Sequence, residues 1–232
     1  MKLAIMQPYF VPYIGYWQLM NAVDEYVIYD DVNFIKGGWI NRNRILVNGE
    51  WKFLNVPMSG ASSNKLISEV YVNADINLIK KRLRMVQNAY GKAPYYSEVY
   101  PIVESIFRCG QENLSEYIIA SIRIICTYLG ITTKLVRSSE LKKNSNLKSQ
   151  SKVLDICRLL GATEYYNAIG GRNLYSSNDF AREGISLKFL QTDEIVYEQF
   201  GNEFQDSLSI IDVMMFNSKE EIQTLLYKYT LI

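Results

Sequence analysis

The feature that most constrains this chain lies in its first 32 residues. An apolar run, Leu3–Met6, precedes a turn holding Pro8 and Pro12. A helical stretch from Gly15 to Ala22 follows, and then a second run, Glu25–Val32, rich in β-branched and aromatic residues. Both runs read as strands buried on two faces, because neither shows the alternation of a strand with one wet face. Strand, helix, strand within about 30 residues is a βαβ unit, and it predicts a parallel sheet. Ligands of such sheets lie beyond the carboxyl ends of the strands. Those ends are Gln7–Tyr9 and Asp30–Asp31.

The remainder fits an α/β chain with additions. Arg44–Val56 reads as a β-hairpin around Asn48-Gly49, a favoured type I′ turn. The segment before it, Phe34–Arg44, reads as a donor-rich loop bent at Gly37-Gly38. Helical spacing covers Asn77–Tyr90, Glu98–Arg108 and Leu114–Leu129, so a helical section is expected over residues 77–130 of one domain spanning 1–232. Thr132–Leu141 reads as strand and loop, and Val153–Leu160 as a helix stopped by Gly161. Glu164–Ile169 is expected to be a third parallel strand ending at Gly170-Gly171. A short helix closes over Phe180–Gly184, Ile185–Leu190 is a further strand, and Ser207–Phe216 is a buried helix.

Composition excludes several chemistries. The 232 residues include no histidine, so there is no Ser-His-Asp triad, no His-paired cysteine and no HExxH zinc site. No GxxxxGK[ST] phosphate loop occurs. Acid–base work falls to Asp, Glu, Lys, Tyr or Cys. Net charge is +1 and argues against a general nucleic-acid binder. Three cysteines without close spacing, Cys109, Cys126 and Cys157, predict no disulfide framework or zinc site. They are expected within helices as small buried residues, and a reducing cytoplasm fits them. No apolar stretch is long enough to span a membrane, and the start does not read as a signal peptide.

Four groups of residues carry candidate chemistry. Gln7, Pro8, Tyr9, Pro12, Tyr13, Gly15 and Tyr16 place rings and prolines at a helix start, where a ligand cradle competes with a packing turn. Asp30 and Asp31 can accept a proton or bind hydroxyls, against a plain cap or salt bridge. Lys36, Trp39, Asn41, Arg42, Asn43 and Arg44 concentrate donors, and paired arginines suit a diphosphate. Gly170, Gly171 and Tyr175 permit close backbone approach at a strand end. Asp30, Asp31 and Lys36 are the catalytic candidates and the others substrate-binding ones.

The opening order of strand, proline turn, Tyr13-Ile14-Gly15-Tyr16 and helix resembles the start of a nucleotidyltransferase-like (HIGH-motif) fold. Tyrosines stand where that motif has histidines. The helix start could still take an anion, and tyrosine hydroxyls could still donate. A resemblance to the WbqC-like family covers nearly the whole chain. It is carried by the opening block, by "AYGKAPYY", "LDICRLLGATEYYNAIGG" and "GISLKFL", and by "YEQFGNEFQDSLSIIDVMMFN", which holds Tyr197, Gln199, Ser209, Asp212 and Asn217. The resemblance implies a parallel, Rossmann-like core with an inserted hairpin. It also implies surface-polysaccharide biosynthesis, with glycine or another small acyl group attached to the amine of a nucleotide-linked 4-amino-4,6-dideoxy sugar. Arg42 and Arg44 would hold the diphosphate, and Asp30 or Asp31 would take the proton, with Gln199 on the binding side. The expected partners are that amino sugar and an activated glycyl or acyl donor. Alternatives are an ATP-dependent amide ligase working through an acyl-adenylate, which makes ATP a possible cofactor, and a non-catalytic sugar-nucleotide binding protein. No metal is expected.

Overall fold

The computed structural model describes residues 1–144, 146–201 and 203–232. The first elements are β1 (Lys2–Met6), α1 (Ile14–Asn21) and β2 (Glu25–Ile28). The hairpin β3 (Arg42–Val47) and β4 (Glu50–Asn55) follows, then a small ribbon of β5 (Met58–Ser59) and β6 (Tyr71–Val72). Three helices come next: α2 (Ile76–Tyr90), α3 (Tyr96–Phe107) and α4 (Leu114–Leu129). The second half runs β7 (Lys134–Arg137), α5 (Ser149–Leu160), β8 (Glu164–Ala168), α6 (Ser177–Arg182) and β9 (Ser186–Thr192). It closes with α7 (Ile210–Phe216), α8 (Lys219–Leu225) and β10 (Tyr229–Leu231). Among the described residues no helix is long and apolar enough to cross a membrane.

The main sheet has the order β10-β9-β8-β1-β2-β7. Every pairing is parallel except that of the edge strand β10 with β9. The chain passes from β1 to β2 to β7 on one side, and then returns to β8 on the other side of β1. That is a doubly wound α/β order, with its switch point between β1 and β8.

Alternation along the central strands explains why both faces are covered. Leu3, Ile5 and Val27 point into a layer with Val153, Ile156 and Cys157 of α5, Tyr165 and Phe180. Ala4, Tyr26 and Ile28 point into the larger layer with Trp17, Leu19 and Met20 of α1 and Ile118 and Ile122 of α4. Each fully buried aliphatic or aromatic side chain contributes about 1.5–3 kcal/mol, so these two layers dominate the stability of the sheet.

Several boundaries differ from the sequence reading. The second strand stops at Ile28 rather than Val32, because the Asp30 amide turns back to the Ile28 carbonyl (3.0 Å). β7 is the third parallel strand in chain order, so Glu164–Ala168 forms the fourth. Gly170 and Gly171 lie in a 3-10 segment, Ile169–Leu174, and do not end the strand. Arg42, Asn43 and Arg44 belong to β3 rather than to the loop. Cys109 follows α3 and is half-buried, whereas Cys126 and Cys157 sit in helices with their thiols pushed up to about 12 by burial. The hairpin turn at Asn48-Gly49 forms as expected, with φ of 53° and 81°.

A buried carboxylate ties α7 to the elements around it. Asp212 accepts from Tyr90 Oη (2.7 Å), Tyr197 Oη (2.7 Å) and Gln199 Nε2 (2.7 Å). The Tyr90 hydroxyl also accepts from the Leu46 amide (3.0 Å), which joins α2 to the hairpin. Burial pushes the Asp212 carboxyl above its ordinary value, and the three hydrogen bonds pull only part of the way back. Its contribution to stability is full below the unfolded value of about 3.9 and is lost as pH rises through the folded value. In Tyr90→Phe the carboxylate loses a donor and the Leu46 amide an acceptor. Urea denaturation should show a loss of about 2–4 kcal/mol.

Candidate functional site

The site is built on the turn after β1. Phe10 donates its amide to the Ile40 carbonyl (3.0 Å), and its own carbonyl accepts from Asn43 Nδ2 (3.3 Å). The Val11 carbonyl accepts from Ser209 Oγ (2.7 Å). The Pro12 carbonyl accepts from Trp17 Nε1 (3.0 Å) and from the Ile210 amide (2.9 Å). These bonds draw the loop before the hairpin, the start of α7 and the segment leading into it against one short piece of backbone.

The result is a pocket of about 180 Å³ lined by Tyr9, Pro12, Tyr13, Trp39, Asn43, Arg44 and Ser207. A second cleft of about 340 Å³ adjoins it at Tyr13 and Ser207, with Asp193, Glu194, Tyr197 and Asp206 among its walls. The two sequence segments with the most rings and donors therefore converge. Arg44 lies 5.4 Å from the Trp39 ring and 5.7 Å from the Trp51 ring. It donates through Nη2 to the Ser207 carbonyl (3.2 Å), while its buried Nε has no partner among the described residues. Burial raises the Tyr9 and Tyr13 hydroxyls above their ordinary value, with neighbouring Tyr13 adding to the first and Thr192 partly offsetting the second. Both stay protonated at neutral pH and can donate. The arrangement offers rings for a planar group, a guanidinium for an anion and carboxylates for a cation.

The other candidates lie elsewhere. Tyr16 is buried, donates to the Gln7 carbonyl (3.2 Å) and packs on Tyr26 (5.4 Å). The Tyr13 ring and Thr192 Oγ1 fill the space beside Gly15, where a Cβ would stand 2.5 and 2.6 Å from them, so this helix start is occupied by the protein itself. Gln7 is half-buried and accepts from Tyr9 Oη (3.4 Å), and Pro8 is buried. Lys36, Asn41 and Arg42 line a separate groove of about 350 Å³ with Phe53. Arg42 is spent on the bend before it, donating to the carbonyls of Gly37 and Gly38, and stacks 4.1 Å above Phe53. Arg42 and Arg44 share a strand face but reach different cavities. The Gly171 backbone packs against the Asn167 amide, and Tyr175 against Tyr165 and Phe180. Gln199 braces the segment before α7 through Asp212 and Gln205.

Asp30 and Asp31 are not brought to the pocket. Asp30 is fully buried and accepts from Ser115 Oγ (2.9 Å), Ser139 Oγ (2.8 Å) and the Ser139 amide (3.0 Å), with Arg137 Nη2 at 3.3 Å. The parallel pairing of Ile28 with Arg137 places that guanidinium. Asp31 lies between Lys143 Nζ (2.8 Å) and Lys152 Nζ (2.9 Å). Burial alone pushes its carboxyl up, but the ammonium groups of Lys143 and Lys152 outweigh that and hold it below its ordinary value. The Asp31 contribution is present above the unfolded value of about 3.9 and is lost as pH falls through the folded one. Asp31→Asn should cost about 3 kcal/mol near neutrality, since it leaves two lysines with side-chain exposures of 6% and 11% unpaired. Denaturation at stepped pH should show that difference from the parent shrinking below about pH 4.

Sequence reasoning missed Ser207 and the acidic wall. Nothing local marks Ser207 except its place just before α7, where its φ is 52°. Arg137, Lys143 and Lys152 were also missed, because only the pairing of β7 and the packing of the segment and helix after it bring them to residues more than 100 positions earlier.

Comparison with known proteins agrees with the resemblance seen in the sequence. The WbqC-like protein family model matches residues 7–224. The uncharacterized protein Rv1507c of Mycobacterium tuberculosis is 29% identical over 220 residues, covering 93% of each chain. No solved structure matches the chain. The turn, the donor-rich strand and the segment before α7 that together form the pocket all fall within the matched span, and the chain belongs to the WbqC-like protein family.

Proposed function

We propose that the protein is a transferase that joins a small acyl or aminoacyl group, such as glycyl, to the amine of a nucleotide-linked amino sugar. The observation that carries this reading is the convergence of Tyr9, Tyr13, Trp39 and Arg44 on one pocket beside an acidic cleft. The rings suit a base or sugar face, and the Arg44 guanidinium at the pocket wall suits a phosphate. Asp193 and Glu194 would hold the ammonium of the sugar, with Asp206 beside it as the proton acceptor.

In the reaction, a carboxylate of that wall takes a proton from the ammonium. The free amine attacks the donor carbonyl, a C–N bond forms, the bond to the leaving group breaks with its electron pair, and the second amine proton departs on the leaving group. Asp206, next to Ser207 at the junction of the two cavities, is the assigned base. This replaces Asp30, which is engaged by Arg137 and two serines, and Asp31, whose Oδ2 is held by the two lysines; neither lines the pocket. Holding both reactants in line can supply about 7–11 kcal/mol of the barrier reduction. The filled space beside Gly15 weighs against a triphosphate cradle at that helix start.

A thermal-shift panel of ATP, dTDP, UDP and a dTDP-linked amino sugar tests the reading. The amino-sugar nucleotide should stabilise the fold by about 2.7 kcal/mol at 100 times its dissociation constant. Arg44→Ala should weaken that binding about 10-fold or more. Asp206→Asn should keep the binding and lose amide formation, followed by mass spectrometry with activated glycyl donors. No shift with any of the four ligands would overturn the assignment of the pocket.

A further inference from the structure

Asp206, the assigned base, stands on an irregular segment between β9 and α7. On its C-terminal side the main chain is anchored closely. The Ser207 carbonyl accepts from Arg44 Nη2 (3.2 Å), the Ser209 amide donates to the Arg44 carbonyl (2.8 Å), and the Ile210 amide donates to the Pro12 carbonyl (2.9 Å). On its N-terminal side, among the described residues, the main chain just before Asp206 is held by the hydrogen bonds of one side chain. Gln199 Oε1 accepts from the Gln205 amide (2.8 Å), and Gln199 Nε2 donates to the Gln205 carbonyl (3.1 Å). Gln199 Nε2 also donates to Asp212 Oδ2 (2.7 Å).

We propose that Gln199, oriented by the buried carboxylate of Asp212, is the positioning residue for the base: it fixes where Asp206 stands relative to Arg44. This assignment rests on the transferase reading, which makes Asp206 the proton acceptor. Three observations carry it. First, Gln199 engages both backbone groups of Gln205, as a neighbouring strand would, and so sets the direction of the chain as well as its place. Second, the Gln199 amide has one usable orientation. Turned over, it would set its oxygen against the Asp212 carboxylate and its NH₂ against the Gln205 amide. Gln199 and Asp212 are both buried, so water does not stand in for a lost bond. Third, Asp206 lies between two anchored residues, and the second anchor belongs to Arg44, the group assigned to phosphate. Gln199 on one side and Arg44 on the other therefore set the spacing between base and phosphate. Spacing of that kind governs rate, because a misplacement of about 1 Å can cost about 100-fold.

Two variants test the proposal. Gln199→Met keeps the bulk and removes all three bonds. Gln199→Glu keeps the shape, loses the donor to the Gln205 carbonyl and sets a second carboxylate beside Asp212. Each should lower kcat for amide formation about 10- to 100-fold, counted per molecule able to bind ligand. The dissociation constant for the dTDP-linked amino sugar should stay within about twofold of the parent, because Arg44 and the rings are untouched. Adding Asp212→Asn to Gln199→Glu returns an N–H to the pair and should recover part of the lost kcat. Hydrogen exchange followed by mass spectrometry gives a readout that needs no turnover. In Gln199→Met, peptides covering Gln205–Ser207 should exchange faster while those of α7 keep the parent rate. The proposal is overturned by unchanged exchange at Gln205–Ser207, by parental kcat in both single variants, or by affinity falling as far as kcat, which would make Gln199 a general support of the pocket. A parent protein that binds no amino-sugar nucleotide overturns the transferase reading and this assignment with it, whereas the other outcomes leave that reading standing.

Discussion

Three consecutive backbone carbonyls, those of Phe10, Val11 and Pro12, hold the rest of the site in place. They receive Asn43 from the hairpin, Ser209 and Ile210 from the start of α7, and Trp17 from α1. A turn that accepts from three different elements must have a fixed conformation, and two prolines supply part of that rigidity. Val11 supplies the rest at a cost. Its φ of 39° is unfavourable for a β-branched residue, and such strain costs on the order of 1–3 kcal/mol. Full burial of the side chain and the bonds on either side offset it. The rings and prolines of the opening stretch thus serve the junction first, and the pocket is its by-product.

The charged clusters near the sheet have a different role from the pocket. A doubly wound sheet is held by apolar burial on two faces, yet its carboxyl edge must end in polar backbone and turns. Here the edge is closed by Asp30 with Arg137 and by Asp31 with Lys143 and Lys152. These pairs gain little net stability against their desolvation. They fix instead where β2 stops and where the chain after β7 runs. Asp31 is shifted down and Asp212 up because one faces ammonium groups and the other only neutral donors.

Much of the fold was legible because it rests on local pattern. The βαβ start, the type I′ hairpin and the helices of residues 76–129 follow from apolar runs, Asn-Gly chemistry and helical spacing, each of which acts over a few residues. The strand order was not legible, since the return of β8 to the side of β1 is a long-range event. The site was legible in half. Tyr9, Tyr13, Trp39 and Arg44 stood out as rings and donors near the expected ligand positions, and the fold brings them together. Asp30 and Asp31 had the right chemistry and lie just beyond the right strand, but their charged partners Arg137 and Lys152 are over 100 residues away. Arg42 and Arg44 look equivalent in sequence. Only the carbonyls of Gly37 and Gly38, which occupy one of them, separate their roles.

The tyrosines of the opening turn also explain where the pocket is. At a helix start with small or flexible residues, the first-turn amides face solvent and attract anions. Tyr13 instead lays its ring beside Gly15, and Tyr16 turns inward to the Gln7 carbonyl and the Tyr26 ring. Both moves bury apolar area and leave no room for an anion there. Electropositive character must then come from a side chain, and the nearest suitable one is Arg44, carried on a strand that the Phe10 carbonyl holds in place through Asn43. A guanidinium between two indoles makes a narrower demand on an anion than a helix end does, because it favours a flat group next to the charge. At this turn the tyrosines fill the helix start, and the positive charge that faces the pocket is carried by the hairpin.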